Sequence, residues 1–146
     1  MKAVNEIINL RPLSKEPDII LQGLEPLIEC GFPLPYEGEN IFKPAIDVGK
    51  EIVTNSITTY VATAWSDSME PRIFQGDMLL VDRALEIRNG HYVAAVVGGG
   101  WMMKRIWVEK GRITLHSENP SHEPIIVQEH MNYRQFGRIY KVIQDL

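Results

Sequence analysis

From about residue 46 the chain falls into short apolar runs with alternating polar positions, separated by turn residues. The runs are "ITTYVATAW", "DMLLVDR", "HYVAAVV", "WMMKRIWVE", "RITLHS", "PIIV" and "FGRIYKVI". The punctuation is "QGD", "RNG", "GGG", "EKG" and "ENPSHEP". Period-two alternation over a few residues, bounded by Gly, Asn, Asp and Pro, is the signature of strands. Asn89-Gly90, Gly98-Gly99-Gly100 and Lys110-Gly111 predict hairpin-type turns, because they supply positive φ. "AIDVGKEIVTN" predicts one or two helical turns with Asp47 as N-cap. Many short strands and little helix predict a mainly β fold, a sandwich or barrel-like domain over residues 46–146.

Residues 1–45 have a different texture. Six of the nine prolines fall here: Pro12, Pro17, Pro26, Pro33, Pro35 and Pro44. Prolines this dense exclude long helices and central strands. One short helical piece is expected at "DIILQGLEPLIE". The segment 1–45 is expected to be an extended arm rather than a domain with its own core.

Composition narrows the functional classes. A chain of 146 residues with 45% hydrophobic content suits one domain with an arm. A net charge of −4 argues against a broad basic face for nucleic acid. The single cysteine, Cys30, excludes an internal disulfide and a cysteine-based zinc site. His91, His116, His122 and His130 have no ligand spacing, so no metal is expected, and no sequence pattern calls for a cofactor. The N-terminus lacks a secretory apolar stretch and no run is long enough to span a membrane, so a cytoplasmic protein is expected.

Two side chains carry candidate chemistry. Strand alternation in "GGGWMMKRIWVEK" puts Lys104 on one face with Met102, Ile106 and Val108. If that face is buried, desolvation disfavours the ammonium, and a neutral amine can take a proton from a serine. The competing reading is a lysine that reaches water from a sheet edge, and spacing alone favours it. Ser68, in "AWSDSMEP", is the matching nucleophile, since Ser-Lys pairs are an alternative to Ser-His-Asp. Its competing reading is a polar residue in a turn capped by Ser66 or Asp67. "GGG" at 98–100 lacks the Lys-Ser/Thr and the helix of a phosphate cradle. The pairs Glu37/Glu39 and Asp77/Asp82 fit loop and strand-end roles. "LIECGFPLPYEG" holds Cys30-Gly31, a small dipeptide in an extensible segment of the sort a protease cleft binds.

Taken together, "ECGFPLP", "SDSMEPRIFQGDMLLVDR", "MKRI" and "SENPSHEPIIV" resemble the UmuD/LexA group of self-cleaving serine peptidases, its UmuD-like members in particular. Ser68 stands nearly midway between Cys30 and Lys104 along the chain. The resemblance runs from about residue 28 to the end. It implies Ser68 as nucleophile, Lys104 as general base, and the backbone N–H groups of Asp67 and Ser68 as the oxyanion hole. It implies the Cys30-Gly31 bond as substrate, so that residues 1–30 would be discarded. It further implies a compact β-fold with the arm over the cleft, a homodimer, and stimulation by a RecA–single-stranded DNA filament. The UmuD-like role is to serve a UmuC-like Y-family polymerase in error-prone synthesis during the SOS response. LexA-type members carry an N-terminal DNA-binding domain. The proline-broken segment before Cys30 is not expected to hold one, so direct sequence-specific DNA binding is not expected. One departure is Ser66, where the family commonly has glycine; serine accepts unusual backbone angles less readily. A non-cleaving interaction module, for which Trp65 speaks, and a truncated LexA-type repressor are the alternatives.

Overall fold

The computed structural model describes residues 5–13 and 48–146. Residues 1–13 and 57–146 group as one compact unit, and residues 14–56 as another. In the second unit the described part holds a single helix, α1 (Val48–Ile52), inside the stretch expected to be helical. The expected Asp47 cap, the expected helix at "DIILQGLEPLIE", the acidic Glu37/Glu39 pair and the Cys30-Gly31 dipeptide all lie outside the described residues.

The larger unit is one antiparallel sheet. Its strands are β1 (Ile7–Pro12), β2 (Thr59–Ala64), β3 (Met78–Asp82), β4 (Tyr92–Val97), β5 (Gly100–Glu109), β6 (Arg112–His116), β7 (Ile125–Ile126) and β8 (Arg134–Ile143). Their order across the sheet is β1-β2-β3-β8-β4-β5-β6-β7. All seven apolar runs are therefore strands, and the fold is mainly β. The eighth strand, β1, falls inside the segment expected to be an arm. Its alternation is broken by a register shift between Ile8 and Arg11 and by a positive φ at Asn9. Pro12 closes it, as suits an edge strand whose missing N–H faces no partner.

Two of the three expected turns are hairpins. Gly98-Gly99 joins the paired ends Val97 and Gly100, and Lys110-Gly111 joins Glu109 and Arg112. Both residues of each turn have positive φ, as a two-residue turn that follows the sheet twist requires. Asn89-Gly90 is a turn but not a hairpin, because β3 and β4 do not pair: β8 lies between them. The Asn89 side chain instead bonds both backbone groups of Val108.

β8 occupies the centre with register shifts against both neighbours, at Leu80/Val81 and Ala94/Ala95. Such bulges bend a sheet. The bend turns the ring of Phe136 between Tyr60 and Trp101, with edge-to-face centroids at 4.9 and 5.2 Å. It also brings the Gly137 backbone so close to β3 that an added Cβ would sit 2.9 Å from the Asp82 carbonyl oxygen. The curled sheet is buried on both faces. Ile7, Ala62, Met69, Leu79 and Met103 belong to one cluster, and Val93, Val97, Ile106 and Leu115 to a second. Neighbouring β4 residues thus serve opposite sides, which explains why "YVAAVV" reads as a continuous apolar run.

Candidate active site

The segment after β2 is a closed loop that carries Ser68. Its two ends are tied by bonds from Ala64 N–H to Asp77 O (2.9 Å) and from Gly76 N–H to Ala64 O (2.7 Å). Asp77 is buried and its carboxylate accepts the Phe74 N–H at 2.8 Å and the Gln144 amide at 2.6 Å. Asp82 accepts the Ala84 N–H at 2.8 Å. Both acids therefore hold turns, as their positions around "MLLV" suggested. Met69 and Ile73 plug the loop into the core, fully and almost fully buried. The methionine after Ser68 is an anchor, which fixes where the serine can stand.

Ser68 itself is fully buried, and its Oγ has no hydrogen-bond partner among the described residues. A hydroxyl left without a partner in the interior costs on the order of 1–3 kcal/mol. The backbone around it is held by the "SENPSH" segment. The Asn119 N–H donates to Ser68 O (2.9 Å), and the Asn119 side-chain amide donates to Asp67 O (3.0 Å). The Asp67 carboxylate meets His122 Nε2 at 2.8 Å. The Ser68 N–H, expected as an oxyanion donor, is taken up by Ser66 Oγ at 3.1 Å. This is the turn-capping arrangement weighed for Ser66, and it coexists with a buried Ser68.

Lys104 is buried on β5, alternating with Met102 and Ile106 as expected. Its surroundings are not purely apolar, and this corrects the sequence reading. Nζ donates to both oxygens of Glu6, at 2.8 and 3.0 Å. Glu6 is itself only 4% exposed. Its Oε1 accepts the Met103 N–H at 3.3 Å, and its Oε2 accepts the Ser66 hydroxyl at 3.2 Å. Its backbone N–H donates to Trp101 O (2.8 Å) and its carbonyl accepts the Trp65 N–H (2.9 Å). Glu6 is thus strapped between β5 and the serine loop. Lys104 and Ser68 are both buried in the same unit. Ser68 Oγ is not hydrogen-bonded to Lys104 in this state, and the lysine head is bonded to Glu6.

Sequence reasoning missed Glu6, the bridging Ser66 hydroxyl and Asn119. Asn119 lies within a stretch already singled out, so only its role was hidden. Beside the loop, the Tyr92 hydroxyl donates to Glu118 at 2.8 Å. Burial first, and that bond second, push the Tyr92 phenol above its ordinary value. An open groove of about 880 Å³ runs over Arg105, Trp107, Arg112 and His116 and includes neither Ser68 nor Lys104. Among the described residues, no helix is long and apolar enough to cross a membrane.

The sequence profile of the Peptidase S24-like family matches residues 24–140, which include the serine loop, Lys104 and most of the sheet. The chain belongs to that family. Curated relatives agree with this placement. The S24-like chain is 34% identical over 103 residues to a LexA repressor of Desulfitobacterium hafniense, covering 70% of this chain and 43% of that protein. It is 27% identical over 139 residues to a LexA repressor of Magnetococcus marinus, covering 90% of this chain and 57% of that protein. A LexA repressor of Bordetella parapertussis is 47% identical over 55 residues, 38% of this chain and 26% of that protein. This S24-like chain therefore spans about a quarter to rather more than half the length of these relatives.

Proposed function

We propose that this S24-like chain is a UmuD-like protein of the SOS response that cuts its own Cys30-Gly31 bond. Ser68 is the nucleophile and Lys104 the general base. Lys104 Nζ takes the Ser68 proton as Oγ attacks the Cys30 carbonyl carbon. The bond to Gly31 breaks, the lysine passes the proton to the Gly31 amine, and water hydrolyses the ester left on Ser68. Backbone N–H groups at Asp67 and Ser68 receive the charge that develops on the carbonyl oxygen. The cut chain then acts, as a homodimer in the cytoplasm, as accessory subunit to an error-prone Y-family DNA polymerase. The RecA–single-stranded DNA filament promotes the cut. No metal or cofactor takes part.

One observation carries this reading: a buried serine hydroxyl without a partner among the described residues, on a loop pinned at both ends, in the same compact unit as a buried lysine of an S24-like chain. Intact mass of purified protein over time, beside Ser68→Ala and Lys104→Ala, tests it. A fragment starting at Gly31 that appears in the parent and in neither variant is expected. An identical fragment from either variant would remove that residue from the dyad. The names of the relatives favour a second reading, a LexA-type repressor in place of a polymerase subunit. Binding of the uncut chain to operator DNA that is lost on cutting, with no affinity for a Y-family polymerase, would select it.

A further inference from the structure

We propose that Glu6 is an internal inhibitor of the Ser68–Lys104 pair, a latch that must open before the chain can cut itself. The inference rests on the self-cleavage reading and adds to it a residue that acts through Lys104 rather than on the substrate. A base must offer a lone pair to the serine hydroxyl, whereas an ammonium has only donors. Lys104 spends two donors on the Glu6 carboxylate, while Ser68 Oγ has no partner among the described residues. The same carboxylate accepts from Ser66, whose oxygen in turn takes the Ser68 N–H expected to serve the oxyanion. One side chain therefore occupies the base directly and an oxyanion donor through a single hydroxyl.

Stability alone gives no reason for this arrangement. A buried ion pair often contributes nothing over apolar side chains of the same volume. Its position does give a reason. Glu6 immediately precedes β1, which is at the edge of the sheet and, among the described strands, pairs only with β2. The register break and positive φ at Asn9 interrupt that pairing after Ile8. β1 can leave without breaking any other strand pair. Glu6 also lies on the Cys30 side of the proposed cut, so cleavage places it on the released piece. The chain holds its base in check until the first cut and discards the check with the product.

The test compares the full chain with Glu6→Gln, Glu6→Ala, Ser66→Ala and Ser68→Ala, without other proteins. Two signals are read: the fragment starting at Gly31, by intact mass, and labelling of Ser68 by a fluorophosphonate. Both Glu6 variants are expected to gain about tenfold in both signals, part of the roughly hundredfold or more by which a positioned base accelerates such reactions. Ser66→Ala, which keeps the Glu6–Lys104 contact, is expected to gain less. A Glu6 that only supported the fold would slow cutting when replaced, so the direction of change separates the two roles. Equal or slower cutting in both Glu6 variants, with the parent cutting, overturns the latch and leaves self-cleavage standing. Faster labelling in the Glu6 variants with no Gly31 fragment supports the latch and overturns the assigned bond. Neither signal in any variant, nor any once the RecA–single-stranded DNA filament is added, overturns the self-cleavage reading and the latch with it.

Discussion

Lys104 donates from a buried position to both carboxylate oxygens of Glu6. Alternation within "WMMKRIWVE" set the lysine in one row with Met102, Ile106 and Val108, but spacing alone favoured a lysine reaching water from a sheet edge; the structure buries it instead. Its partner was out of reach. Glu6 lies 98 residues away, and an acid in "NEIINL" beside an edge strand looks like any surface acid. The two descriptions predict opposite outcomes for Lys104→Met. A lone desolvated amine in an apolar row would be replaced with little loss or a gain. With Glu6 opposite, the substitution strands a carboxylate in the interior and is expected to cost about 3–5 kcal/mol. Adding Glu6→Gln should recover most of that, because the charge is gone, the amide oxygen can still accept from Met103 and the NH2 can donate to Ser66 Oγ. Urea unfolding of the single and double variants measures it. A single variant as stable as the parent would rule out the buried pair.

The strands after residue 57 were legible because each is short, apolar and bounded by turn chemistry. Their order was not. Nothing local in "FGRIYKVI" says that it slides between β3 and β4, and the Asn89-Gly90 turn misleads because it resembles a hairpin between strands that never pair. β1 was hidden by its own bulge, which disrupts the alternation from which the other strands were read. The placement of β8 leaves a mark at Gly137. The atoms facing an added Cβ are the backbone of Asp82, which cannot rotate away. Gly137→Ala is expected to destabilise the domain by about 1–3 kcal/mol, the range for forcing atoms into a filled interior. Thermal unfolding reads this directly, and an unchanged midpoint would contradict the close crossing. The serine loop carries a matching mark at Asn119. Asn119→Ala removes the donor to Asp67 O while leaving the backbone bond to Ser68 O. The Asp67–Ser68 peptide then has freedom to tilt. Self-cleavage should slow on the order of ten- to a hundredfold, since small misplacements at a reacting centre are costly. Thermal stability should change little, and a rate equal to the parent's would show that the side-chain bond does not position the loop.

At the scale of the molecule, the proposed cut and the sheet topology share one boundary. Residues 1–30 contain β1 and Glu6, so separating them from the core takes away an edge strand as well as the carboxylate. β2 would then lose the partners it meets through Ile7, Ile8, Arg11 and Pro12. The cluster around Met69 would lose Ile7. A newly unpaired edge with apolar neighbours seeks another strand. The cut would thereby convert a chain whose edge is filled by its own N-terminus into one that can take a strand from a partner. Hydrogen exchange at the β2 amides tests this. The intact Ser68→Ala chain is expected to protect them, while dilute cut protein freed of residues 1–30 is expected to lose protection at those facing β1. Adding the 1–30 peptide, or raising the protein concentration, should restore it. Full protection in the dilute, separated core would mean that β1 contributes little to the edge, and that release of the arm changes chemistry at Lys104 without creating a surface for partners.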